Sequence, residues 1–289
     1  MKILITGANG ELGSDLVNFM IKKKHKIFAS YRNAKKNKVK KNKNLIWIKH
    51  DFCKKILKKP KVDIIINCIA AHSFSKKNKT TDLVNSNIIA VKNIIKYAEE
   101  NKIKLIINLS TVSVYGRIDK TNLTEEYLPK NQDNLGLTKF CGELLLFNSS
   151  VNYINLRLPG VLTASKNFNR PWLKTIIKKI KKNKSINVYN YKKRFNGVID
   201  TYEINRFINY LLKKKLFKKK IRSTFNLSAL KPTNMMDIIK LIKKYYLSSS
   251  KIMVKKNSMN NYTININKIC NTFKFFPSTT VDTVARNLL

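Results

Sequence analysis

The apolar run "KILIT" at residues 2–6 ends in "TGANGELG", and this junction constrains the fold more than any other feature. Glycines fall at 7, 10 and 13, between a strand-like run and the helical spacing of Leu12, Leu16, Val17 and Met20. A strand, a tight turn and a helix start in that order make an anion cradle. Glycine lets the backbone turn and approach a pyrophosphate, and the first helical N–H groups carry a partial positive charge. Gly7, Gly10 and Gly13, with Glu11 and Leu12 at the helix start, are therefore candidate cofactor contacts. The plain alternative is three turn glycines. The alternation of strand and helix patterns beyond the loop weighs against it.

That alternation is regular. "HKIFASY", "LIWIKHDF", "VDIIINCIAA" and "IKLIINLST" read as strands, the last two apolar throughout like strands buried on both faces. A long helix is expected over "TTDLVNSNIIAVKNIIKYAEENK" and another over "LTKFCGELLLF", before the strand "YINLRLPGVL". This order predicts an α/β fold, a doubly wound parallel sheet of Rossmann type with a smaller C-terminal lobe. The expected division is a dinucleotide-binding domain at 1–160 and an interleaved substrate lobe at 161–289, with some return to the main domain.

Composition narrows the function classes. With 289 residues, 43% of them hydrophobic, the chain can bury one large core with a lobe attached. Its N-terminal apolar run is shorter than a secretory segment needs, and its longest, "VDIIINCIAA", is shorter than a membrane span, so no membrane insertion is expected. Four cysteines without paired spacing fit reduced thiols in a cytoplasmic protein, with no metal site. The net charge of +43 invites a nucleic-acid reading. Yet nearly all the cations are lysines spread along the chain, and arginine, the bidentate reader of bases, is scarce. No specific nucleic-acid partner is expected.

The ordered motifs resemble the extended short-chain dehydrogenase/reductase family, the NAD-dependent epimerase/dehydratase group. "TGANGELG" is similar to its T-G-x-x-G-x-x-G, "HDF" to its adenine-side pair, and "NCIAA" to the alanine-rich end of its fourth strand. "NIIAVKNII", "STVSVYG", "LGLTKFCGE" and "LRLPGV" continue the likeness in order, with Ala90 and Val91 departing from a Gly-Thr pair. The resemblance implies cofactor contacts at Asp51, Phe52, Ala70, Ala71, Asn87, Lys139 and Pro159, and carries Asn93 over. It implies a nucleotide-sugar substrate, a surface-polysaccharide pathway and a possible homodimer. The end of the second strand, "FASYRNAKK", has no acid to bind a ribose 2′-hydroxyl. Arg32 and Ser30 are instead candidates to hold a 2′-phosphate, which leans to NADP rather than NAD; the plain alternative is that Arg32 is one more surface cation.

In that family a Ser/Thr hydroxyl, a Tyr and a Lys form the active unit. The Tyr exchanges a proton with substrate, and the Lys holds the cofactor ribose and lowers the Tyr pKa. Carried over here, Thr111 takes the hydroxyl position, Lys139 the lysine position and Leu135 the tyrosine position. The proton carrier is therefore missing. Tyr115, Tyr127 and His72 are candidate substitutes, and Ser110 and Arg194 are candidate substrate contacts. The expected function is epimerisation, dehydration or ketoreduction of a nucleotide-activated sugar. The alternative is a catalytically silent dinucleotide-binding regulator or scaffold.

Overall fold

A computed structural model describes residues 1–33, 42–58, 60–71, 79–163, 171–189, 191–255 and 262–288. The chain folds into two compact units.

The first unit comprises Met1–Arg117, Leu128–Leu158 and Asn205–Phe225. Its strands are β1 (Lys2–Thr6), β2 (Lys26–Tyr31), β3 (Leu45–Lys49), β4 (Ile64–Asn67) and β5 (Leu105–Thr111), joined by Tyr153–Leu158 and Arg222–Asn226. They form one seven-stranded sheet in the order Arg222–Asn226, Tyr153–Leu158, β5, β4, β1, β2, β3. From Tyr153–Leu158 to β3 every neighbouring pair is parallel. The strand order reverses direction at β1, and in doubly wound sheets ligands bind at that switch point, beyond the C-terminal strand ends.

Side chains alternate along these strands, so each strand serves both faces. Leu4, Phe28, Ile65 and Ile106 join a core cluster with Val91, Ile94 and Ile95. Their neighbours Ile3, Ile5, Ile27, Ile64 and Ile66 are buried too, which is why these strands read as unbroken apolar runs. A polar row crosses the sheet at adjacent register positions. Thr6 donates to Asn67 (2.7 Å), Asn67 to Asn108 (2.9 Å), Asn108 to Asn155 (2.9 Å) and Asn155 to Thr224 (3.1 Å). Each buried amide thus has a partner on the next strand.

Helix α1 (Glu11–Ile21) follows β1. The long helix expected over 80–102 is interrupted: α2 (Thr80–Val84) passes through a π-turn at Asn85–Ile89 into α3 (Ala90–Glu100). Helix α4 (Asn134–Phe147) is capped by Asp133, whose side chain accepts from the Gly136 N–H.

The second unit comprises Ile118–Tyr127, Pro159–Ile204 and Asn226–Leu289. Helices α5 (Pro171–Lys181), α6 (Thr201–Lys213, whose first turn belongs here) and α7 (Met235–Tyr245) supply much of it. Leu173, Ile180, Ile238, Ile242 and Val284 pack in its core. Within it Arg286 reaches Asp200 at 2.8 Å and Glu203 at 3.3 Å. The chain passes between the two units more than once. Asn122–Leu123 pairs with Thr263–Ile264, while Arg222–Asn226 returns as an edge strand of the large sheet. No helix among the described residues is long and apolar enough to cross a membrane.

Candidate active site

The glycine loop has the shape that its spacing predicts. Gly7 has φ +62°, and a Cβ there would lie 2.9 Å from the Cys68 backbone. A Cβ on Gly13 would lie 2.3 Å from the Gly7 carbonyl oxygen. Neither position has room for a side chain, so the start of α1 lies directly against the loop. Gly10 caps α1 without any side-chain bond and donates its N–H to the Gly7 carbonyl (3.0 Å). Glu11 and Leu12 open the helix, and the Ala8 N–H ties the loop to the Ser30 carbonyl (2.9 Å). A cradle closed to side chains and headed by a helix N-terminus fits a dinucleotide pyrophosphate.

Around the loop the expected contacts divide. Arg32 is exposed at the end of β2, whereas Ser30 is 1% exposed and packed inside. Ser30 is thereby withdrawn as a phosphate ligand. Asp51 folds a turn by accepting from the Cys53 N–H (3.0 Å). The Phe52 ring is buried edge-on to His50, and its carbonyl accepts from Asn93 (2.7 Å). The ring is therefore a core element. Ala70 is exposed and Ala71 buried at the end of β4. Pro159 is buried directly after the strand Tyr153–Leu158.

At the expected reaction centre, α4 presses onto the turn after β5. A Cβ on Gly136 would lie 2.1 Å from the Ser113 carbonyl oxygen, and one on Gly142 would lie 2.5 Å from that of Asn87. These contacts fix the register of α4. Lys139 is buried, and its ammonium donates to the carbonyls of Leu109 (3.1 Å) and Ile69 (3.2 Å). Burial lowers its pKa to about 8, against an opposing pull from Cys68 and Glu143. One turn earlier, Leu135 is 7% exposed and packs with Ala71 and Leu83. Thr111 caps the turn after β5, its hydroxyl 3.2 Å from that of Ser113. Asn87, in the π-turn, donates to Thr138 (3.0 Å). Its buried side-chain oxygen has no hydrogen-bond partner among the described residues, leaving an acceptor beside the helix that carries Lys139.

A buried ionic network was not legible in the sequence. Arg157 pairs with Glu143 at 2.7 Å, and Ser110 donates to the same carboxylate at 2.5 Å. The Arg157 guanidinium lies 4.6 Å from the centre of the Tyr115 ring. Burial disfavours the charged guanidinium, but Glu143 outweighs it and holds the pKa above the ordinary value. Two expectations change as a result. Ser110, expected to touch substrate, is buried and bonded to Glu143. Tyr115, expected at the reaction centre, is fully buried under Arg157, so its hydroxyl is no open proton donor. The one signal in the sequence was Glu143, fourteen residues before an arginine near the end of a buried strand.

The remaining expected residues belong to the second unit or lie outside the described residues. The Tyr127 hydroxyl, in the second unit, donates to Asp119 at 2.8 Å. Arg194, also in that unit, is exposed and donates to the Pro232 carbonyl at 3.0 Å. His72 lies outside the described residues. No cluster of potential metal ligands occurs among those that are described, and all four cysteines are free.

Sheet, switch point and glycine cradle together define a Rossmann-type dinucleotide fold. The model of the NAD dependent epimerase/dehydratase family matches residues 3–208, and the chain belongs to that family. It is 25% identical over 142 residues to Epimerase family protein YfhF of Bacillus subtilis, covering 48% of this chain and 46% of that one. The chain thus spans about half of that relative. It is 28% identical over 277 residues to protein MJ1055 of Methanocaldococcus jannaschii, covering 86% of this chain and 82% of that one. UDP-glucuronic acid 4-epimerase from Bacillus cereus in complex with NAD superimposes with a TM-score of 0.80 at 21% identity. That superposition covers 99% of this chain and 96% of the epimerase.

Proposed function

We propose that this chain is an NAD(P)-dependent epimerase, dehydratase or ketoreductase for a nucleotide-activated sugar, with the family's catalytic tyrosine replaced by Leu135. The observation that carries this reading is the pairing of a side-chain-free cradle at Gly7 and Gly13 with a buried lysine at 139. The nucleotide-sugar class draws support from the family and from the UDP-sugar epimerase that shares the fold.

A bound nicotinamide supplies hydride exchange. The chain's own residues hold and orient. First-turn N–H groups of α1 would hold the pyrophosphate, and the Lys139 ammonium, still mostly protonated at pH 7 with a pKa of about 8, would give its remaining hydrogen bond to a ribose hydroxyl. Thr111 offers a hydroxyl to the substrate. At position 135 the chain supplies only a methyl-bearing wall. Exposed Arg32 and the lack of an acid beside it favour NADP. Free thiols suit a cytoplasmic setting, and a surface-polysaccharide pathway fits the substrate class. Leu137, Leu144 and Phe147 form an exposed apolar stripe on α4 that fits a homodimer. Sedimentation at micromolar concentration reads this, and a monomer would contradict it.

A second reading, a silent dinucleotide-binding regulator, is favoured by the apolar cluster of Leu135, Ala71 and Leu83 and by the burial of Tyr115. A screen of nucleotide sugars with NADH and NADPH separates the two. Turnover with any sugar supports the first reading, and dinucleotide binding without turnover supports the second. Tighter binding of NADH than NADPH would reject the NADP preference.

A further inference from the structure

In the second unit, the C-terminal ends of α5 and α7 meet in one surface. The Ser248 hydroxyl donates to the Ile180 carbonyl (2.7 Å) and to Asn183 (2.8 Å), and the Ser249 N–H donates to Asn183 (3.0 Å). These bonds pin the turn after α7 onto the turn after α5. Lys181 lies over the Tyr246 ring at 4.8 Å. Beside them is a groove of about 330 Å³ with an apolar floor of Ile177, Tyr246 and Leu288 and a rim of Lys178, Lys181 and Lys182.

Leu247 stands at the tip of this surface. It is 92% exposed and has φ 47°, in the left-handed region that branched side chains avoid. Tyr245 beside it is 42% exposed. Around them the charge is one-signed. Residues 171–189 carry six lysines and residues 238–255 carry five, with no aspartate, glutamate or arginine in either stretch.

We propose that this face docks on the surface of an anionic phospholipid bilayer, with Leu247 and Tyr245 entering the headgroup boundary and the lysines pairing with lipid phosphates. Charge complementarity selects the occupant, because clustered lysines are drawn to an anionic leaflet. The projecting leucine favours lipid over nucleic acid. The most exposed side chain of the tip is aliphatic and gives a base nothing to stack on, the patch lacks arginine for base edges, and Tyr245 would serve either partner. The contact is peripheral. Helix α5 turns its own apolar residues, Leu173 and Ile180, into the core, so only the turn is left to insert.

The test is vesicle flotation of the full chain. Vesicles of equal parts phosphatidylcholine and phosphatidylglycerol should carry the protein, and pure phosphatidylcholine should not. Leu247→Ser leaves the charge unchanged and should weaken partitioning by about fivefold. Replacing Lys178, Lys181, Lys182 and Lys244 by Gln should weaken it further. Replacing Lys2, Lys24, Lys26 and Lys61 instead should change it less than about twofold. Leu247→Trp gives a second readout, a blue shift of its added emission on anionic vesicles only. Equal losses from both lysine sets, with Leu247→Ser silent and no blue shift, would overturn the proposal and leave diffuse charge. Single-stranded nucleic-acid binding that depends on Leu247, with vesicle binding indifferent to it, would also overturn it.

Discussion

Gly136 and Ser113 touch backbone to backbone, so closely that a Cβ on the glycine would lie 2.1 Å from the Ser113 carbonyl oxygen. This contact places α4 against the turn after β5 and puts Leu135 one turn before the buried Lys139. The leucine is thus fixed by the packing of α4, at the position the proposed function equates with the family's tyrosine. Gly136→Ala should cost about 1–3 kcal/mol, the range for forcing an extra methyl into a packed site. Urea unfolding reads it as a lower midpoint at unchanged slope, and an unaltered midpoint would loosen the assigned register.

The Glu143–Arg157 pair predicts a larger loss. Removing one partner of a buried pair strands the other charge, which costs about 3–5 kcal/mol. Glu143→Ala should fall in that range, while Glu143→Leu with Arg157→Met should regain much of the loss. If the single and double variants are equally unstable, the pair is not the source.

How much of this was legible in the sequence depends on the range of each interaction. The glycine loop and β1 to β5 could be read because their signals are local: spacing, turn chemistry and apolar runs buried on both faces. That Leu135 and Lys139 share one helix, one turn apart, was equally plain from their spacing. The roles of Ser110 and Tyr115 were not. Both depend on Arg157, which reaches them only through strand pairing and the packing of α4. A return of the C-terminal lobe to the main domain was expected, but which segment returns was hidden for the same reason, since the strand Arg222–Asn226 finds its place by non-local pairing. The π-turn at Asn85–Ile89 has no signal in hydrophobic periodicity.

Lys139 predicts a pH dependence of stability. Its folded pKa of about 8 lies below the ordinary 10.5, and burial is the main cause. Between these values the unfolded chain binds more protons at this site than the folded one, so its contribution to stability rises with pH. Relative to Lys139→Met, the wild type should gain about 2 kcal/mol between pH 7.5 and 9.5, at roughly 1.4 kcal/mol per unit. Urea unfolding of both proteins at each pH gives the difference, and a flat difference would mean the ammonium is solvated.

On the function proposed above, Leu135 removes the family's proton relay while the cofactor site stays whole. The most direct measurement is turnover of a nucleotide sugar by the wild type and by Leu135→Tyr, with dinucleotide Kd taken in parallel. A positioned general acid contributes about 10²–10⁴-fold. With Lys139 already one turn away, Leu135→Tyr should raise kcat within that range and leave Kd unchanged. A fast wild type with an indifferent Leu135→Tyr variant would contradict the claim and put position 135 outside the reaction centre.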